Sequence, residues 1–565
     1  MCVKTKPLSK LFPQQQHLLN QLPEIQTLLK KYQRPQDWLD LAENNTRHFI
    51  VRVPLIGKFS SGKSTILNAL IGENLFATNI DPETAVPAEL GYSPEESFIA
   101  CYADGKRAQL SRDEIKNNQL GSLHPNGWIE ANLSSPELAQ LPHLRLVDFP
   151  GWGSGNSKHG QAIDNYSPRS LAYCLVVSIG EGTLNETTHV ALNELKLHKM
   201  PVIVIISKCD GKTATEIDSV TQQVTSEVEK LLDTPPLAVV QVSARKHDLA
   251  GFKSALATLE QQAETLFNQN VLKPVVLELQ LFAQFLNILI NKDDLTSEAI
   301  AAERIIKAQE MQEFNRKLAD DTQRLEASLP KVLSSILRQV QDRLTDQLDS
   351  LTNQAEVGQD LHSPIEHIVR LAVTQGIRDE FDPEIQSYFD KISSDLPQDL
   401  QLDLSVSSSR QINTDDMDNN QGDNVKKLTL GGIGFLLTKH PIGVVLIPFL
   451  LPLLDELFNL FRNKADREIE AAQRRESIRQ SILGKIPQIV SNTDAVLSPL
   501  LKQYVENAQR RILQSVEGQR AALDAALIEL DEKLKEGKAA YAAAQQQYQA
   551  DQQVIQANIT LFENV

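Results

Sequence analysis

The run Gly57-Lys58-Phe59-Ser60-Ser61-Gly62-Lys63-Ser64 constrains this chain most, because it fits the spacing G-x-x-x-x-G-K-[ST] and lies between an apolar stretch, 48–56, and a helical pattern, 65–70. Strand, glycine-rich loop and helix in that order define an α/β unit whose loop turns backbone N–H groups toward an anion. In such a loop the lysine ammonium reaches the outer phosphates of a nucleotide, and the serine hydroxyl can hold Mg²⁺. The candidate phosphate-binding residues are therefore Gly57, Ser60, Ser61, Gly62, Lys63, Ser64 and Thr65. An ordinary Gly/Ser-rich turn is the competing reading, and the flanking strand and helix argue against it.

The 565 residues exceed what one compact core fills, so several domains or one domain with a long helical body are expected. A formal net charge of −17 argues against a nucleic-acid partner, since phosphate backbones need clustered Lys and Arg. Cys2, Cys101, Cys174 and Cys209 show no C-x-x-C spacing, which points to isolated reduced thiols rather than zinc or disulfides. The N-terminal residues lack the apolar core of a secretory signal, so a cytoplasmic location is expected.

Along the chain the period of the apolar residues changes twice. Residues 1–47 carry helical spacing, with Leu18, Leu19, Leu22, Ile25, Leu28 and Leu29 recurring and Pro35 as a break. Between 48 and 267 short β-rich runs alternate with helices: HFIVRVPLI, FIACYA, RLVDF, AYCLVVSI, VIVIIS and LAVVQVSA. Continuous apolar strands of this kind predict a mostly parallel sheet with helices on both faces. From 268 onward the pattern is long helix, in two parts, 268–425 and 465–565. The Gln/Ala-rich run 537–556 reads as a mostly exposed bundle helix.

The helical block is interrupted by a polar stretch, 398–424, expected to be a solvated loop, and then by the most apolar segment of the chain. Within 426–464, two apolar arms are joined by Thr438-Lys439-His440 and interrupted by Pro441, Pro448 and Pro452. Each arm is shorter than the roughly 20 residues a helix needs to cross a bilayer, so a re-entrant or interfacial hairpin fits better than a span. Its candidate membrane residues are Ile433, Phe435, Leu436, Leu437, Val444, Val445, Leu446, Ile447, Phe449, Leu450 and Leu451, flanked by Lys426, Lys427, Arg462 and Lys464. A hairpin buried in the helical body remains the alternative.

Three further motifs follow the loop in order. Asp148-Phe149-Pro150-Gly151 ends an apolar strand, placing a carboxylate near Mg²⁺ and a glycine N–H near a γ-phosphate. Ser207-Lys208-Cys209-Asp210 fits the guanine motif [NT]-K-x-D except at its serine, and Asp210 would accept from guanine N1 and N2. Ser243-Ala244-Arg245 ends another strand, where the Ala244 N–H could meet guanine O6. His159 and His247 lie near these loops, but lone loop histidines are usually solvated, and no role is assigned.

Together the motifs resemble those of translation-factor-like GTPases, and GKFSSGKSTILNALIG followed by LFATNIDPETAVPAEL is similar to the bacterial dynamin-like GTPases, most of all in length to their short, LeoA-type members. The resemblance covers about residues 49–249. It implies GTP hydrolysis with Mg²⁺ held by Ser64, Thr84 and, through water, Asp148. Pro82, Thr84 and Ala85 map onto the first switch of that family, so Thr84 and the Gly151 N–H would orient the attacking water. Ser60 maps onto the loop serine near which a monovalent cation, Na⁺ or K⁺, offsets charge when two GTPase domains meet. Phe59 stands where eukaryotic dynamins carry glutamine. Residues alone also allow Ser60 to be a small loop residue and Thr84 a solvated hydroxyl.

By the same resemblance, the N-terminal helix would join C-terminal helices in a neck, and 426–464 would form an apolar hairpin at the tip of a helical stalk. The implied partners are GTP and GDP, a second copy through the GTPase domains or a higher oligomer, and a lipid membrane at its cytoplasmic inner face. Two other readings stay open: a regulatory GTPase or nucleotide-dependent scaffold with the hairpin buried, and a guanine-nucleotide-binding structural protein that does not hydrolyse.

Overall fold

The computed structural model describes residues 11–34, 36–58, 60–76, 86–102, 105–116, 127–149, 166, 169–184, 192, 200–232, 235–290, 296–359, 361–397 and 471–563. Two helices, α1 (Pro13–Lys31) and α2 (Asp37–Arg47), precede β1 (Val51–Ile56), the glycine loop and α3 (Lys63–Ile71). Then come β2 (Ala88–Tyr92), β3 (Ser97–Cys101), β4 (Arg107–Gln109), β5 (Trp128–Leu133), β6 (Leu144–Asp148), β7 (Tyr173–Ser178) and β8 (Val202–Ser207). Helix α4 (Ala214–Leu232), β9 (Ala238–Gln241) and α5 (Ala250–Phe267) complete the domain.

The nine strands form one sheet in the order β4-β3-β5-β2-β6-β1-β7-β8-β9. From β6 to β9 all neighbours are parallel; β2 runs antiparallel to β6 but parallel to β5, and β3 is antiparallel to both of its neighbours. The expected α/β P-loop architecture is therefore present. Alternate residues feed two cores: Val51, Val53, Leu55 and Leu146 on one face, Ile56, Val147, Leu175 and Val204 on the other. Burial on both faces is why these strands read as unbroken apolar runs. Strands β2, β4 and β5 escaped the sequence reading because Glu89, Arg107, Gln109, Glu130 and Asn132 interrupt them.

Helix α5 passes through a π turn, Asn268–Leu272, directly into α6 (Lys273–Ile290), so the last helix of the sheet domain continues into the helical part. Beyond it lie α7 (Ser297–Asp346), α8 (Leu348–Glu356), α9 (His362–Gly376), α10 (Asp382–Asp395), α11 (Ala471–Glu536) and α12 (Lys538–Glu563). The two ends of the chain meet: the Tyr32 hydroxyl donates to Asp551 at 2.6 Å, and Leu18, Ile25 and Leu29 of α1 share a core with Ile555 and Ile559 of α12. This bundle reaches the sheet through Phe12, which stacks on His143 at 3.9 Å just before β6. Along 537–556, α12 buries Tyr548, Asp551 and Ile555 on one face.

A separate core makes the trunk, where Phe314, Ile336, Val340, Phe381, Phe389, Ile482, Leu497 and Val505 pack together. Helix α11 serves both: Ile478 to Val516 lie in the trunk and Ala522 to Leu530 in the neck. Its 66 residues span about 100 Å. The Ala471 end is the far one, beside α8, where Arg475 pairs with Glu356 and Arg479 with Asp349. The polar stretch 398–424 and the apolar segment 426–464, with every candidate membrane residue, lie outside the described residues. Among the described residues no helix is long and apolar enough to cross a membrane.

Candidate functional site

The loop between β1 and α3 needs both of its glycines, the first for space and the second for backbone conformation. A Cβ on Gly57 would stand 2.3 Å from the Val176 carbonyl oxygen of β7, a backbone atom that cannot move aside. Gly62, at φ +100°, occupies the left-handed region as the N-cap of α3. Ser60 is also left-handed, at φ 62°, and is exposed. Lys63 is buried in the first turn of α3, and its ammonium donates to the carbonyls of Gly57 (3.0 Å) and Lys58 (3.2 Å). Burial pushes its pKa down to about 8, against the opposing attraction of Asp148 and Glu181.

Asp148 closes β6 at the lip of this loop. The Ser64 hydroxyl donates to its Oδ2 at 2.7 Å, while Oδ1 is buried with no hydrogen-bond partner among the described residues. Burial raises the carboxyl to about 6, although the Ser64 hydroxyl and the Lys63 ammonium pull it down. A hydroxyl and a carboxylate with an unused buried lone pair form an all-oxygen donor set that fits Mg²⁺. Among the described residues no group of three or more His, Cys, Asp or Glu is arranged to hold a metal.

The base side is tied to the loop by the residue that departs from the usual motif. Ser207 is buried at the end of β8, and its hydroxyl donates to the Ser61 carbonyl at 2.6 Å and lies 3.3 Å from that of Val177. Lys208 is left-handed, at φ 59°, and its Cε lies 4.0 Å from where a Gly62 Cβ would be, so its stem covers the loop. Asp210 accepts from the Ser243 hydroxyl at 3.2 Å, and its Oδ2 is 3.9 Å from an Arg245 guanidinium that is 85% exposed. Ser243 also caps the short turn Ala244–Lys246, which His247 closes in the left-handed region. His247 therefore has a local structural role.

The described geometry thus brings Ser61, Gly62, Lys63, Ser64, Asp148, Ser207 and Lys208 into one contact network, with Asp210, Ser243, Ala244 and Arg245 beside it. Thr65 is exposed on α3. Phe59, Thr84 and Gly151 lie outside the described residues, as do Pro82, Ala85 and His159. Sequence reasoning overlooked Glu181, whose charge acts on Lys63, and a buried ion cluster around Glu89. A visible signal was Arg52, a cation inside the apolar run of β1.

Fold and site together define a P-loop domain of the guanine-nucleotide type. Residues 53–209 match the model of the dynamin family, so the sheet domain is a dynamin-family GTPase domain. The chain is 25% identical over 278 residues to dynamin-like protein 2 of Campylobacter jejuni, a match covering 45% of this chain and 43% of that one. To a bacterial dynamin-like protein of Nostoc punctiforme it is 41% identical over 71 residues, 13% of this chain and 10% of the other. A solved structure of an oligomerised bacterial dynamin pair, described as providing a mechanism for long-range sensing and tethering of membranes, aligns over 96% of this chain and 82% of that one, at 16% identity and a TM-score of 0.32. The chain spans half the length or less of the curated relatives it matches first, 19%, 50% and 43%.

Proposed function

We propose that this chain binds and hydrolyses GTP, and that pairing of its GTPase domains couples the nucleotide state to membrane binding or remodelling. The observation that carries the reading is Ser64 hydrogen-bonded to Asp148 at the lip of a loop whose buried Lys63 points its ammonium at the loop carbonyls. In this reading the loop amides and Lys63 neutralise the β- and γ-phosphates, and Lys208 covers the loop. Asp210 selects guanine, held in place by Ser243, while the Ala244 N–H meets O6. Ser64 and Asp148, with Thr84, would hold Mg²⁺, which supplies charge neutralisation on the phosphates when bound. Thr84 and the Gly151 N–H orient the attacking water.

Ser60 is exposed, as a residue beside a facing domain and a monovalent cation would be. The composition of the apolar segment supports membrane contact: two apolar arms flanked by Lys426, Lys427, Arg462 and Lys464 suit an anionic lipid surface. The test is GTP turnover and co-sedimentation with anionic liposomes. Binding to the liposomes with a several-fold rise in turnover is expected; turnover that ignores lipid, with the protein left in the supernatant, would contradict the membrane half of the proposal.

A further inference from the structure

Glu89 of β2 keeps 1% of its side-chain exposure, and it is surrounded by cations. Its Oε1 accepts from the Tyr166 hydroxyl (2.6 Å) and from Arg52 Nε (3.1 Å), with Arg169 at 3.6 Å. Arg145 lies 3.8 Å from Oε2 and donates to Asn132 at 2.7 Å. Arg169 in turn stacks over Trp128 at 3.6 Å, and Tyr166 meets Phe149 edge-on at 5.2 Å. Burial alone would push the Glu89 carboxyl up, but Arg52, Arg169, Arg145 and Tyr166 outweigh it and hold it at about 2.

The origins of these residues give the cluster its meaning. Arg52 sits on β1, which leads into Gly57. Glu89 sits on β2, the first strand after Thr84, and β2 is registered against β6 with Ala88 opposite Asp148 and Glu89 opposite Val147. Phe149 follows Asp148 directly, and Tyr166 and Arg169 are among the first described residues beyond Gly151. A single carboxylate therefore joins the strand entering the phosphate loop, the strand ending in Asp148, the strand leaving the Thr84 segment and the chain returning from Gly151. A buried ion cluster is a weak way to gain stability, because apolar packing of the same volume does as well or better. What charge and hydrogen bonds give instead is a fixed mutual position.

We propose that Glu89 is a positioning residue for GTP hydrolysis: through Arg52 and Arg145 it locks β2 to β1 and β6, and through Tyr166 to the chain returning from Gly151, so that the strand ends around the nucleotide move as one unit. The inference rests on the hydrolytic reading above. Two variants of the full chain, Glu89→Gln and Tyr166→Phe, test it by GDP affinity, kcat, KM and Tm. Hydrogen exchange over 88–92 and 169–178 is followed in parallel, with GDP and with a non-hydrolysable GTP analogue. Tyr166→Phe, which removes one hydroxyl, should lower kcat about tenfold while KM and GDP affinity stay within about twofold. Exchange in the two segments should change together with nucleotide in the parent and separately in the variants.

An unchanged kcat with exchange still coupled in Tyr166→Phe overturns the proposal. Matched losses of kcat, GDP affinity and Tm also overturn it, leaving the cluster as structural support. If Glu89→Gln fails to fold, Tyr166→Phe decides alone. If the parent turns over no GTP, the hydrolytic reading fails, while exchange still decides the coupling: joint protection sustains it and independent protection overturns it.

Discussion

The sheet domain buries whole clusters of charge, while the helical trunk keeps nearly all of its described charge at the surface. In the sheet Lys63, Arg52, Glu89 and Arg145 are all buried, at positions beside or behind the phosphate loop. In the trunk the core is Phe314, Ile336, Val340, Phe381 and Phe389, and pairs such as Arg316 with Glu313 keep 62% and 52% of their exposure; Asp321 is buried there, but its partners Arg324 and Lys391 are 70% and 53% exposed. Buried charge is costly to fold, so its concentration in one region marks where position and field matter more than stability. The trunk is organised for length and stiffness instead, with α11 running through both cores.

The contrast is sharpest for Lys63. Lys63→Ala should lower GTP turnover at least about a hundredfold, since it removes a preorganised cation from the phosphates. Tm should hold or rise, because a lysine whose pKa is pushed down to about 8 is one that the fold disfavours in its charged form. A trunk core substitution should do the reverse. Phe381→Ala, which empties a fully buried site, should cost about 3–5 kcal/mol in denaturant unfolding and leave turnover per folded molecule intact.

Acid titration separates the regions next. Glu89 is held near 2, below its ordinary 4.5, so its contribution to stability is complete above about 4.5 and lost as pH falls toward 2. Glu89→Gln should flatten that acid limb of the stability curve; an unchanged limb would mean that the cluster is not what titrates. The smallest effect belongs to Arg304 and Asp524, a 2.6 Å pair between α7 and α11 whose side chains keep 40% and 34% exposure. A double-mutant cycle there should return about 0.5 kcal/mol, and several kcal/mol would place functional charge in the neck, outside the sheet domain.

What the sequence made legible follows the same division. The phosphate loop, Asp148, Ser207 to Asp210 and Ser243 to Arg245 were readable because each occupies the end of an apolar strand at a fixed spacing. Strands β2 and β5 were not, because Glu89, Glu130 and Asn132 break their apolar runs, and the partners that make such residues tolerable, Arg52, Arg145 and Arg107, are distant in sequence. Ser207 looked like a departure from a motif; the structure gives its hydroxyl a partner in the loop itself, the Ser61 carbonyl. In the trunk, helix and apolar face were legible from periodicity, but its separation from the neck core was not, since α7 and α11 run through both without a break in pattern.

We propose that the site around Lys63 hydrolyses GTP when two GTPase domains meet. Specific activity of the full chain, measured with GTP and with ATP over a range of protein concentrations, tests this. Turnover of GTP that rises with protein concentration per molecule, with ATP spared, is the predicted result. Turnover no greater than that of Lys63→Ala at every concentration would contradict it.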